Sequence, residues 1–157
     1  MNPNLLHRTN RLLNLFSKHP TYAGTYAWDL YEILVLKDIR EKDQTLIFEA
    51  PVLKFQTNNI GSVHGGCFMT YVDIVTTVGI WTFSKTDHAT TSSNISTDFL
   101  SAGMLGDTLW LEAKIEKIGK KLAFSSAFIY SSSTGQLLAK GNHTKAFLST
   151  GFQNIEP

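Results

Sequence analysis

The chain has 157 residues, 43% of them hydrophobic and 17% charged, with a net charge of +1. That length suits one domain with a real core, and the composition is globular, not disordered. The balanced charge excludes a general nucleic-acid or membrane-surface binder. The lone cysteine, Cys67, excludes an internal disulfide and fits a reducing compartment.

Residues 4–18 form a predicted helix that stops near Pro20, with Leu5, Leu12, Leu13 and Phe16 on one side. Residues 1–28 carry Arg8, Arg11 and Lys18 and no acidic residue, so they also resemble a mitochondrial presequence. The amphipathic helix is the preferred reading, and the expected location is intracellular, in cytoplasm or mitochondrion. Residues 28–39 are aromatic and β-branched enough to predict a strand. Residues 45–52 alternate, with Leu46, Phe48, Ala50 and Val52 on one face and Thr45, Ile47 and Glu49 on the other. Asp43-Gln44 makes the turn between these two strands. A polar loop over 54–64 ends at His64-Gly65-Gly66.

Residues 66–84 are apolar nearly all round, which predicts a helix buried on most sides. The stretch is long enough to cross a membrane. Over 65–84, four threonines, three glycines and Asp73, with strand patterns following, favour a core helix instead. Strands are then predicted over 90–99, 107–117, 121–131 and 136–148. In the second of these, Leu109, Leu111, Ala113 and Ile115 face inward. Short turns at Gly119-Lys120 and Thr134-Gly135 imply an antiparallel meander. The predicted fold class is α+β: an antiparallel sheet of about six strands wrapped around one long central helix, plus a short N-terminal helix. The expected division is an N-terminal helical extension over 1–24, one domain over 25–150 and a tail over 151–157.

Asp73 is the one charged residue between Gly65 and Ser84. A carboxylate on so apolar a segment is costly to bury, so the chain must pair it or use it. The first N–H groups of a helix starting near Gly65 lack intrahelical partners and lie at the positive end of its dipole. A carbonyl oxygen placed there would be polarised. His64 can hold that oxygen, fix the loop or cap the helix, and Gly65-Gly66 can equally make a tight turn. Asp73 lies eight residues on, ~12 Å along a helix, so it cannot grip the same small group as its own helix head. If both act on one atom they come from different chains. Two antiparallel copies of the helix about a two-fold axis would bring them together, which predicts an obligate homodimer.

The tract Asn58-Asn59-Ile60-Gly61-Ser62-Val63-His64-Gly65-Gly66, followed by Asp73, resembles a signature of the hotdog-fold acyl-CoA thioesterases, in their PaaI-like branch. Further matching tracts are Leu105-Gly106-Asp107, Gly119 to Phe124 and Ala139 to Lys145. The resemblance implies a hotdog fold and hydrolysis of acyl-CoA to free acid and CoA. Asp73 would be the general base or nucleophile, and the Gly65 N–H the donor to the thioester carbonyl. Asn58 and His64 would orient carbonyl and water, and Ser92 would lie near the carboxylate. Phe99, Ser92, Ser101, Lys117, Gly119, Lys120 and Lys121 would bind substrate and CoA. A plain solvated hairpin is the competing reading of those lysines. Ala102 stands where the family often has proline, which leaves that loop looser. The resemblance also implies sites between subunits and dimers that pair into tetramers. No cofactor is called for, since CoA is part of the substrate, and no metal site is expected. Cys67 reads as a small buried hydrophobe. His7, His19, His88 and His143 lack metal-ligand spacing. An acyl pocket is expected near Phe68, Trp81 and Phe83. The alternatives are a hotdog acyl-thioester dehydratase and a non-catalytic acyl-CoA or lipid binder.

Overall fold

In the computed structural model, the described residues are 2–84, 86 and 88–151, and residues 152–157 of the expected tail lie outside them. Three α-helices and six strands follow in the order α1 (Pro3–Lys18), α2 (Trp28–Glu32), β1 (Val35–Arg40), β2 (Thr45–Pro51), α3 (Gly65–Phe83), β3 (His88–Phe99), β4 (Thr108–Ile118), β5 (Leu122–Ser131) and β6 (Leu137–Gly151). The strands form one antiparallel sheet ordered β1-β2-β4-β5-β6-β3, with α3 against one face. This is the expected sheet wrapped on a central helix.

The alternation read from sequence decides the inner face. Leu46, Phe48 and Ala50 of β2, and Leu109, Leu111 and Ala113 of β4, are fully buried. They pack with Val72, Val75 and Val78 of α3. Each Leu, Phe or Val among them removed from water contributes about 1.5–3 kcal/mol, so this contact stabilises the fold strongly. Although α3 is long and apolar enough for a membrane span, most of it is buried inside the fold. The helix α1 joins the same body. Its Thr9 hydroxyl lies 3.0 Å from that of Thr82, and Phe16 stacks on Trp81 at 5.5 Å.

Two sequence expectations change. Residues 28–39 are not one strand: 28–32 form α2, and the strand begins at Val35. The stretch 28–32 contains no β-branched residue, and the buried Leu30 and Leu34 fall four apart, the spacing of a helix face. The meander holds for β4, β5 and β6, but β3 pairs with β6 at the far edge. No tight turn joins β3 to β4. The connection instead crosses the head of α3, where Val63 N–H donates to Gly103 O and Leu105 N–H to Gly61 O.

Gly141 of β6 fixes how closely α3 approaches the sheet. A Cβ there would lie 2.7 Å from Ser96 O and 2.9 Å from both Val72 methyls. Gly141→Ala should therefore destabilise the fold by about 1–3 kcal/mol, the usual cost of overpacking. Chemical denaturation measures this, and an unchanged midpoint would refute the close contact.

Candidate active site

The polar loop before α3 is built by Asn58. Its Oδ1 accepts from the N–H groups of Ile60 and Ser62, and its Nδ2 donates to Ser62 Oγ at 2.9 Å. Gly61 lies at φ +82°, a conformation that favours glycine. The loop is anchored by His64 N–H donating to Gln56 O at 2.8 Å.

His64 is the N-cap of α3, and its Nδ1 accepts from Gly66 N–H at 2.9 Å. Its backbone carbonyl accepts from the N–H groups of Cys67 and Phe68. Of the first four N–H groups of the helix, Gly65 alone has no acceptor among the described residues. The glycines do not make a tight turn, because neither has a positive φ. Gly65 instead lies face-on to the Phe99 ring, 3.4 Å from where a Cβ would stand. At Gly66 a Cβ would crowd His64 Nδ1 at 3.1 Å, so glycine keeps the cap bond open.

Two cavities flank this helix head. One, of about 310 Å³, is lined by Ser62, Gly65, Phe68, Phe99, Ser101 and Ala102 among others. The other, of about 540 Å³, lies between His64, Gly66 and Cys67 on one side and Tyr26, Trp28 and Phe55 on the other. The Tyr26 hydroxyl reaches Thr70 Oγ1 at 2.7 Å on that side. Burial pushes the Cys67 thiol up to about 12, so at neutral pH it is a protonated, inert side chain. The residues expected around an acyl pocket do not share one cavity. Phe68 lines the smaller cavity, but Trp81 packs with Ile80, Ile115 and Phe83 near the far end of α3.

Asp73 sits in a second cluster, two helical turns on. Its side chain is 44% exposed, not enclosed by apolar groups. Oδ1 accepts from Thr77 Oγ1 at 3.2 Å and lies 3.5 Å from Lys145 Nζ and 3.7 Å from His143 Nε2. Ser92 joins them from β3: its Oγ lies 2.9 Å from His143 Nε2 and 3.2 Å from Lys145 Nζ. Asp73 and Ser92 thus share two partners, His143 and Lys145. His143 and Lys145 share one face of β6, two residues apart, and that spacing was the available signal.

The CoA-binding expectations divide between the two clusters. Phe99 and Ser101 stand by the helix head. Lys117, Gly119, Lys120 and Lys121 lie at the β4–β5 hairpin, next to Phe147, which pairs with Thr90 at the start of β3. Within one chain these groups sit at opposite ends of β3. Ser92 to Phe99 alone is ~23 Å of strand.

Residues 60–138 match the Thioesterase superfamily. Acyl-coenzyme A thioesterase 13 of Mus musculus is 33% identical over 102 residues, covering 65% of this chain and 72% of the relative. The crystal structure of thioesterase superfamily member 2 from Mus musculus superposes with a TM-score of 0.74 at 26% identity, covering 93% of this chain and 98% of that one. A hypothetical thioesterase protein from Streptococcus pneumoniae, solved with coenzyme A, has the same fold with a TM-score of 0.66 at 21% identity, covering 76% of this chain and 88% of that one. The chain therefore belongs to the thioesterase superfamily and is a hotdog-fold thioesterase.

Burial, reinforced by the Lys145 charge and opposed by Asp73, lowers the His143 pKa from 6.5 to about 4. Between those values the unfolded chain takes up a proton that the folded chain refuses. Stability is then lost as pH falls through that window, by up to about 3 kcal/mol at its lower end. His143→Asn should flatten this dependence in acid denaturation followed by circular dichroism. An equally steep loss in the variant would place the titration elsewhere.

Proposed function

We propose that the protein hydrolyses acyl-CoA thioesters to free acid and CoA at sites completed by two chains. One observation carries this reading: the unpartnered Gly65 N–H at the head of α3, with Asp73 ~12 Å further along the same helix. The Gly65 N–H of one chain polarises the thioester carbonyl, aided by the helix dipole. Asp73 of the other chain takes a proton from the attacking water. Its half-exposed carboxylate is open to that water, which favours general-base action over direct attack.

The sheet supports this pairing of chains. β3 is an edge strand of 12 residues, largely exposed, with neither proline nor lysine to block its outer edge. Two copies joined antiparallel along β3 would set the Phe99 end of one beside the Ser92 end of the other. The same two-fold would bring the lysine hairpin of one chain toward the helix head of its partner. There Lys117, Lys120 and Lys121 meet the phosphates of CoA as point charges. Pairing of such dimers into tetramers is the further assembly we propose.

Gly65 borders the smaller cavity, and Gly66 and His64 the larger. A thioester has two arms, so the pantetheine arm fits the side of Phe99 and Ser101, and the acyl arm the larger cavity. A cavity of about 540 Å³ is within the range that encloses drug-sized ligands, which favours a medium or long acyl chain over acetyl.

Asp73→Asn should lower kcat by about 10²–10⁴-fold while the dimer persists in size-exclusion chromatography. Gly65→Pro removes the N–H and sets ring carbons beside Phe99, while the helix should still form, since proline is favoured at the first helical position and His64 is already extended at ψ 138°. It should cost about 10²–10³-fold. Mixing the two inactive variants under subunit exchange should restore activity, because each hybrid dimer holds one intact site. No recovery in a mixture shown to exchange would refute the two-chain site.

Across a panel of acyl-CoA esters assayed for free thiol, kcat/KM should rise from acetyl to medium-chain substrates. Tyr26→Ala should move the optimum toward longer chains. A preference for acetyl would refute the acyl placement alone, and no release from any ester would favour a non-catalytic binder.

A further inference from the structure

The polar cluster around Asp73 has a definite hydrogen-bond direction. Thr76 Oγ1 donates its one proton to Val72 O at 2.6 Å, a carbonyl that can only accept. His143 Nδ1, 2.7 Å from the same oxygen, must then be the donor to it. The imidazole is neutral near pH 7, so its Nε2 carries a lone pair and accepts the Ser92 hydroxyl proton at 2.9 Å. Ser92 Oγ in turn accepts from Lys145 Nζ at 3.2 Å, and the ammonium faces Asp73 Oδ1 at 3.5 Å. The order runs Asp73, Lys145, Ser92, His143, Thr76, Val72, linking α3, β6 and β3 in a closed circuit. Ser92 has committed its proton, so toward the site it offers only oxygen lone pairs.

We infer that Lys145 is a positioning residue of this site: its ammonium, clamped between the Asp73 carboxylate and the Ser92 oxygen, holds both in their working orientation. The inference rests on the proposed hydrolysis at Asp73. A lysine side chain only 7% exposed is rare unless paired, and here every visible pairing is to the site. Its neighbours on either side in the sheet are Ser92 on β3 and Ala123 on β5, neither charged. Asp73 faces it from α3 and neutral His143 from its own strand, while Tyr31 of α2 feels the Asp73 charge.

Burial holds the Lys145 amine below the ordinary lysine range, against the opposing pull of Asp73. As pH rises through that lowered range the amine loses its proton. Asp73 then loses its counter-charge and Ser92 a charged donor. Hydrolysis should accordingly fall on the alkaline side, earlier than an ordinary lysine would titrate.

The test compares kcat/KM from neutral to alkaline pH in the parent, Lys145→Met and Lys145→Arg. Alongside it, ¹³C NMR follows the Lys145 Cε titration in the parent and in Asp73→Asn. Lys145→Met should lose about 10- to 100-fold in kcat/KM, the value of hydrogen bonds to a charged group. Lys145→Arg should recover most of that loss and abolish the alkaline limb, because a guanidinium keeps its proton. In the NMR titration, Asp73→Asn should move Lys145 lower still, since it removes the charge that raises it. A parent-like profile in Lys145→Met, or a Lys145 titration indifferent to Asp73→Asn, would overturn the inference. If the parent hydrolyses no acyl-CoA, the hydrolysis reading falls and the role of Lys145 with it. If hydrolysis is present and Lys145→Met is parent-like, only the role of Lys145 falls.

Discussion

A helix buried in a sheet is a rigid ruler, and the organisation of this protein depends on that rigidity. With α3 packed along its length against the sheet, Gly65 and Asp73 are held ~12 Å apart, and no side-chain rotation can close the gap. The head of the helix offers a bare N–H and two cavities. The middle offers a carboxylate and its polar partners. In the proposed mechanism each half needs the other for thioester hydrolysis. The open edge of β3 runs between the two, and it is the surface on which the proposed dimer would join.

The two halves are prepared by different physics. At the helix head the device is subtraction. His64 takes up three of the four terminal N–H groups, by Nδ1 and by its carbonyl, and leaves Gly65 for a ligand. Around Asp73 the device is addition. A buried lysine, a buried neutral histidine and two threonines are gathered beside Oδ1 of the carboxylate and joined to one another by hydrogen bonds and charge. The close passage of Val72 over Gly141 sets the neighbouring turn of the helix at the height where these contacts form.

Much of this was legible in the chain. The period of two in 107–117 and the largely apolar surface of α3 indicate which faces meet. The spacing from Asn58 through His64-Gly65-Gly66 to Asp73 marked the site. The structure revises some of the roles. Asn58 spends its carboxamide closing its own loop, so its visible task is to shape the approach to His64. His143 and Lys145 carry no local mark of a place beside Asp73, being two residues apart on a strand far along the chain. Their meaning appears only when β6 lies between β3 and β5 with α3 above it. Aromatic content misread 28–32, since β propensity mostly records packing on a half-buried pleat and these residues pack as a helical turn.

The sequence by itself determined most of the elements, the inward faces and the presence of one carboxylate on an otherwise apolar, glycine-headed helix. These follow from local periodicity and from the price of burying charge, both properties of neighbouring residues. The tertiary structure decided which strand stands at the edge, which N–H is left bare, and which cation accompanies Asp73. Those are relations between segments far apart in the chain. They are set by how the helix settles on the sheet, and no local pattern records them.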